Sequence, residues 1–287
     1  MKIAAVIGVK DEAGLIGTAA RSLLGAGIAS VDILDDGSTD GTLEAAAALA
    51  AEDPRIRLIR ELPSYEGLLM MDGPLFAPIL AREAPDRVLF LDADEALVCR
   101  GPLARSAFLA AHDLVRLPRY NAAPGPEGLA PPDGGLRQLD LVARRRPLTA
   151  GALDSDAALR WVEHLLPPKV IADPAAVSGL SMGGHRGVAR PGRALREGTA
   201  PDALIVHLPF TSLPRFARKI ANAEALLAQA GPGVPSHAAW HWRRWIALKH
   251  EGRLEEEFAR QCYDAPARAE ARATGAFATP DALLGVA

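Results

Sequence analysis

Cysteine is nearly missing from this chain. Cys99 and Cys262 are the only two in 287 residues, and their separation fits neither a metal-ligand nor a redox motif. A reduced, cytoplasmic setting is therefore the simplest expectation. An excess of charge of either sign is missing too: 32 Lys and Arg stand against 35 Asp and Glu, a net charge of −3. That removes any global electrostatic basis for binding nucleic acid or an anionic membrane. Nucleic acid is not expected as a partner, and peripheral membrane contact, though open, is not indicated. No stretch approaches the ~20 consecutive apolar residues of a membrane span. The first residues run at once into a strand-like segment, 2–8, too short for a signal peptide. There is no internal repeat. What is present is ordinary for a soluble α/β protein: 49% hydrophobic and 23% charged residues, enough for one large domain or a domain with an appendage.

The chain is organised around residues 87–95, Arg-Val-Leu-Phe-Leu-Asp-Ala-Asp-Glu. Four apolar residues, 88–91, predict a short strand buried on both faces. It ends in Asp92, Asp94 and Glu95. In extended backbone, side chains at i and i+2 project to one side, so Asp92 and Asp94 can share a target. Two carboxylates that close repel unless a proton or cation lies between them. Hard oxygen ligands suit Mg²⁺ or Mn²⁺, and Mg²⁺ takes one or two carboxylates together with substrate phosphates. The carboxyl end of a strand is also where ligands of open α/β sheets lie. The competing explanation is a helix N-cap, which favours the same acidic residues.

Around this strand the first half alternates regularly. A strand over 2–9 ends in Lys10-Asp11-Glu12, and a helix over 13–26 carries Leu15, Ile16, Ala19, Leu23 and Leu24 at helical spacing. A strand over 31–34 leads into Asp35-Asp36-Gly37-Ser38-Thr39-Asp40-Gly41-Thr42. An alanine-rich helix over 43–51 follows, with Thr39 or Asp40 as N-cap. A strand over 56–59 and an interrupted helix over 68–83 precede the strand at 87–91. This alternation predicts a parallel, doubly wound sheet. Further on, strands are expected over 114–119, 136–144, 170–171 and 203–208. A Pro/Gly-rich loop is expected over 121–135 and a turn-rich stretch over 178–190. Helices are expected over 213–229, 237–251 and 254–263, and the tail 264–287 has no clear packing face.

Three stretches in this order, Lys10-Asp11-Glu12, the turn at 35–42 and Leu91-Asp92-Ala93-Asp94-Glu95, resemble the nucleotide-binding half of a GT-A glycosyltransferase of the family 2 type. Gly183-Gly184-His185-Arg186 and Val206-His207-Leu208-Pro209-Phe210-Thr211-Ser212, followed by Phe216 and Lys219, resemble one branch of that family. There a histidine at a strand end runs into a helix with a basic residue. The resemblance covers residues 1–220. It implies a Rossmann-like α/β fold, a mostly parallel central sheet flanked by helices, here with a helical C-terminal extension. The implied division is 1–110 for the nucleotide-sugar half, 111–210 for the acceptor half and 211–287 for the extension. It also implies a metal-dependent enzyme that moves a sugar, with inversion, from a nucleoside-diphosphate sugar, UDP-sugar favoured. The acceptor would be a hydroxyl of a glycan, a lipid-linked sugar or a small molecule.

By the same resemblance Asp94 ligates Mn²⁺ or Mg²⁺, and Asp92 reaches the ribose or the metal. Asp36 accepts the imino proton of the base, while Lys10 and Glu12 flank base and ribose. Lys10 is equally readable as a solvated strand-end lysine. A histidine completes the metal shell, His185 before His207, and Arg186 faces the diphosphate. Either histidine also reads as a hydrogen-bonded strand-end residue. An inverting transfer needs a carboxylate base. Asp154, Asp156 and Glu163 are candidates, no signature selects one, and Glu95 reads as an organiser of the site.

Two other functions compete. A phosphohydrolase of the haloacid dehalogenase type would use Asp92 as nucleophile, but it leaves residues 35–42 without a role. A non-catalytic nucleotide-sugar-binding protein would explain the missing base. A sugar nucleotidyltransferase lacks support, because no glycine-rich N-terminal loop ends in a basic residue. Arg144-Arg145-Arg146 reads as a solvated edge. Trp240, Trp242 and Trp245 do not share one helical face and read as packing rather than membrane insertion.

Overall fold

The structure, a computed structural model, describes residues 1–61, 66–129, 135–230 and 239–286. In chain order the first half comprises β1 (Ile3–Val9), α1 (Ile16–Gly25), β2 (Ser30–Asp35), α2 (Thr42–Glu52), β3 (Ile56–Ile59), α3 (Phe76–Glu83) and β4 (Arg87–Asp92). Next come β5 (Glu95–Cys99), α4 (Ala107–Ala111), β6 (Leu114–Leu117), β7 (Arg119–Asn121), β8 (Leu141–Val142) and α5 (Ala150–Ser155). Five strands follow: β9 (Lys169–Ala172), β10 (Val177–Leu180), β11 (Gly187–Ala189), β12 (Glu197–Thr199) and β13 (Ala203–His207). The chain closes with α6 (Leu213–Ala230), α7 (Trp240–His250), α8 (Leu254–Gln261), α9 (Ala265–Ala273), β14 (Phe277–Ala278) and α10 (Pro280–Leu283).

The large sheet has the order β12-β6-β9-β4-β1-β2-β3. Strands β3, β2, β1 and β4 run parallel, and β9 is antiparallel to both β4 and β6. The expected mostly parallel α/β sheet is thus observed. Strands β1, β2 and β4 are almost wholly buried because helices cover both faces: α1 and α2 pack on one side, α3 on the other. A fully buried side chain such as Phe76 contributes about 1.5–3 kcal/mol. A second sheet, β5-β13-β7, stands beside the first. The C-terminal helices enclose a third core of aromatic residues, including Trp161, Phe210, Phe216, Trp245 and Phe258. No helix among the described residues is long and apolar enough to cross a membrane.

Several expectations need correction. Residues 92–95 do not cap a helix: Glu95 opens β5, so the acidic run is a strand-to-strand turn. The N-cap of α2 is Gly41, at φ 93°, and Asp40 instead accepts from the Thr42 N–H at 3.1 Å. Within 68–83 only Phe76–Glu83 is helical. The stretch 114–119 divides at Pro118, which has no N–H to donate, and β6 and β7 join different sheets. Residues 136–144 hold a 3₁₀ turn and only a two-residue strand. His237, the expected start of one helix, lies outside the described residues, and α7 begins at Trp240. The tail does pack: β14 pairs with β8, and Arg268 and Arg272 both bind Asp140.

Candidate functional site

Strand register brings the acidic turns together. Gly8 lies opposite Asp92 and Val9 opposite Asp35, so β1, β2 and β4 end side by side. The first two turns are woven into each other. The Thr39 N–H donates to Asp11 Oδ1 at 2.7 Å, the Asp11 N–H to Ser38 Oγ at 2.9 Å and the Glu12 N–H to Thr42 Oγ1 at 2.7 Å. Asp11 sits at φ 55°, a left-handed conformation that aspartate tolerates better than most side chains. Lys10 donates from Nζ to the Asp36 carbonyl at 2.8 Å. Asp36 is exposed, whereas Asp35 is buried and its Oδ1 has no hydrogen-bond partner among the described residues. A buried, unsatisfied carboxylate oxygen is costly to leave unmade and marks an acceptor position for a ligand donor.

Asp92 and Asp94 do not share one target, because Asp94 lies in the turn and not on the extended strand. Asp92, half exposed, accepts from Lys169 Nζ at 2.8 Å. Lys169 is fully buried and also meets Glu95 Oε2 at 3.0 Å and the Gly183 carbonyl at 2.7 Å. That last contact depends on two successive left-handed glycines, Gly183 at φ 74° and Gly184 at φ 68°. Glu95 is further paired with Arg119 Nε at 3.1 Å, and its Oε2 accepts from the Asp92 N–H at 3.0 Å. Glu95 thus organises the turn, as expected.

Asp94 is buried and faces the other way. Its Oδ2 meets Lys219 Nζ, Arg215 Nη2 at 3.1 Å and His207 Nε2 at 3.3 Å. Burial opposes ionisation there, but Lys219, His207 and Arg215 prevail and hold the carboxyl well below its ordinary range. Arg215 also grips Glu12 with two nitrogens, one at 2.7 Å from Oε1, and donates to the Leu208 and Pro209 carbonyls. Both cations come from α6, as do Arg218, which pairs with Asp40 at 2.7 Å, and Asn222, which donates to Asp11 Oδ2 at 2.8 Å. The positions 215, 218, 219 and 222 form one helical face. A single helix therefore touches all three acidic turns.

The second sheet positions His207. It ends β13, opposite Glu95 of β5 and Asn121 of β7. The Asn121 amide is oriented by donation from Nδ2 to the Val162 carbonyl at 2.8 Å, which leaves its Oδ1 facing His207 Nδ1 at 2.7 Å. Nδ1 therefore carries the proton. Burial lowers the pKa of His207 despite Asp94, and Nε2 lies 3.3 Å from Asp94 Oδ2. The Nδ1 contact with Asn121 is of the kind that orients a metal-ligating histidine. The orientation continues outward: the Val162 N–H donates to Gln261 Oε1 at 3.2 Å, and Gln261 Nε2 to buried Glu257 at 2.9 Å. The ring is thus aligned from as far away as α8.

The eight residues expected in the site separate accordingly. Asp94, His207 and Glu12 share one cluster, whereas Asp92 belongs to a neighbouring set with Lys169, Glu95 and Arg119. His185 turns its Nδ1 to the Pro168 carbonyl at 3.0 Å, and its pKa is lowered to about 4 by burial, then by Lys169 and Arg119. Arg186 is exposed and makes no side-chain contact with the cluster among the described residues. The four expected metal ligands, Asp92, Asp94, His185 and His207, therefore do not form one set. Among the described residues no three such side chains converge on a metal. Asp94 and His207 are two adjacent side chains of types that ligate a divalent cation. Of the candidate bases, Asp154 pairs with Arg244, Asp156 caps Ala158, and Glu163 is held by Arg146 and Tyr263. None touches the cluster. Lys169, Arg119, Asn121 and Arg215 were not anticipated, although an apolar strand bearing one lysine, Lys169-Val170-Ile171-Ala172, is itself a signal of a buried counterion.

No family model and no curated protein matches the chain. Among solved structures it is similar to the 1–349 fragment of S. aureus TarS, with 12% identity over 96% of this chain and 92% of that one, at a TM-score of 0.34. It is similar to the mannosyltransferase PcManGT from Pyrobaculum calidifontis, solved with GDP-Man and Mn²⁺. There the identity is 18% over 99% of this chain and 78% of that one, at a TM-score of 0.37. It is also similar to glucosyl-3-phosphoglycerate synthase from Mycobacterium tuberculosis, solved with Mn²⁺, UDP and phosphoglyceric acid. That match has 22% identity over 62% of this chain and 58% of that one, at a TM-score of 0.31. At scores this low the likenesses stand as similarities alone.

Proposed function

We propose that this chain is a metal-dependent, cytoplasmic GT-A glycosyltransferase of the family 2 type. It transfers a sugar, with inversion, from a nucleoside-diphosphate sugar, UDP-sugar favoured, to a hydroxyl of a glycan, lipid-linked or small-molecule acceptor. The observation that carries this reading is the meeting of three acidic strand-end turns under one cationic helix face, at the carboxyl edge of a parallel sheet. A phosphohydrolase built on Asp92 has no use for Asp35, Asp40 or Arg218.

Each residue has a task in this reading. Asp35, rather than the expected Asp36, offers its unpaired Oδ1 to the imino proton of the base. Asp94 and His207 would hold Mn²⁺ or Mg²⁺, which supplies Lewis-acid stabilisation of the departing diphosphate. Lys169 bridges Asp92 and Glu95, so the turn holds its shape with the two carboxylates side by side. Residues 1–110 would bind the donor and 111–210 the acceptor. The C-terminal portion, 211–287, is part of the site and not an appendage, through α6 directly and α8 by relay.

Calorimetric titration of UDP and GDP, each with and without Mn²⁺, tests the proposal on the wild type and Asp94→Ala. Mn²⁺-dependent binding that vanishes in the variant is expected, with UDP the tighter ligand. No nucleotide binding under any condition would overturn the assignment.

A further inference from the structure

The charges in contact around Asp94 and Glu95 already cancel. Glu12, Asp92, Asp94 and Glu95 are four carboxylates, and Arg119, Lys169, Arg215 and Lys219 are four fixed cations in contact with them. Asp40 and Arg218 pair with each other, and Asp11 is held by Asn222 with Lys10 nearby. A divalent cation placed at Asp94 would therefore bring two uncompensated positive charges next to Arg215 and Lys219, in a buried setting where such an excess is costly. A diphosphate supplies the missing negative charge.

Accepting the glycosyltransferase reading, we infer that Lys219 and Arg215 form a lock on Asp94 and Glu12 that makes divalent-cation binding conditional on the donor's diphosphate. The two cations have different parts in it. Arg215 is fixed by its two-nitrogen grip on Glu12 and by two backbone carbonyls, the planar geometry that suits guanidinium. Lys219 has no backbone acceptor among the described residues, and its side chain is 26% exposed on a flexible stem. Lys219 is the member that transfers from Asp94 to the phosphates as the metal takes its place. The lock is a positioning device: it sets the order in which charges enter, and its residues need not contact the reacting sugar.

The test is calorimetric titration of Mn²⁺ into the full chain, alone, with uridine and with UDP, for wild type, Lys219→Gln and Lys219→Arg. Wild type is expected to bind Mn²⁺ about 100-fold more tightly with UDP than alone, and uridine is expected to leave Mn²⁺ affinity unchanged. Lys219→Gln leaves one carboxylate charge unbalanced. It should therefore bind Mn²⁺ alone about tenfold more tightly than wild type while losing about tenfold in UDP affinity. Lys219→Arg should restore the wild-type order of affinities. Arg215→Gln gives a second reading of the first effect if Lys219→Gln fails to fold. Mn²⁺ binding to wild type that is equally tight without UDP, or unchanged or weakened in Lys219→Gln, would overturn the lock while leaving the enzyme assignment standing. Absence of UDP binding in every arm would overturn both.

Discussion

The acidic turns hold their shape through backbone and short side-chain hydrogen bonds to one another, whereas α6 meets them through side chains alone. Thr39 and Asp11, or Glu95 and the Asp92 N–H, are contacts of neighbours fixed by strand register. Arg215, Lys219 and Asn222 lie more than a hundred residues away in the chain from the carboxylates they meet. A site can therefore be half preformed by local turn chemistry and half assembled by one late helix. The two halves should respond differently to mutation.

The largest effect is expected from removing the carboxylate that belongs to both halves. Asp94→Ala removes one of the two buried carboxylates that Lys219 and Arg215 share, Glu12 being the other, a change of the kind that costs about 3–5 kcal/mol, and thermal denaturation should register it together with loss of nucleotide binding. Next, Asn121→Ala frees the His207 ring. Mn²⁺ affinity in the presence of UDP should fall about 10–100-fold, whereas His185→Ala should leave it within about twofold. Equal losses in the two variants would restore His185 as the metal ligand. On the side of the turns, Asp35→Asn should weaken UDP about tenfold, the worth of one charge-assisted hydrogen bond, with Asp36→Asn nearly silent. Smallest is a change remote from the site. Glu83, held by Arg82 and then Lys2 and Arg57, titrates at about 2 instead of 4.5. Its folded pKa is depressed, so its contribution is full above 4.5 and is lost as pH falls from there towards 2. Glu83→Gln should flatten the acid limb of a melting-temperature profile in that window and leave pH 7 activity unchanged.

The comparison also explains what the amino-acid sequence reveals. Buried parallel strands appear as apolar runs and their acidic ends as turns, so β1, β2, β3 and β4 and the three motifs were legible within a residue or two. Lys219 was visible as a basic residue following His207. Its partner in space, Asp94, was not, because an i, i+3, i+4, i+7 polar stripe on a helix looks the same whether it meets water or a carboxylate. The choice between His185 and His207 rested on a glycine-rich setting. The contact that sets His207 apart, Asn121 at its Nδ1, arises from the pairing of β7 with β13, which no local pattern encodes. Asp35 and Asp36 are adjacent, and the buried one closes β2 whereas the exposed one lies just beyond the strand end.

The two-residue strand β8 pairs with β14, near the opposite end of the chain, and Asp140 just before it is clasped by Arg268 and Arg272. Such a contact closes a very long loop, whose entropic cost must be met before the pairing returns any energy. Strands β1 to β4 can pair as soon as their own segment is synthesised, but β8 has to wait for the final helices. Kinetically, then, the β1–β4 sheet should form early and the β8–β14 closure last. In pulse-labelled hydrogen exchange, protection at Val142 and Phe277 should appear together, after that of β1 and β4.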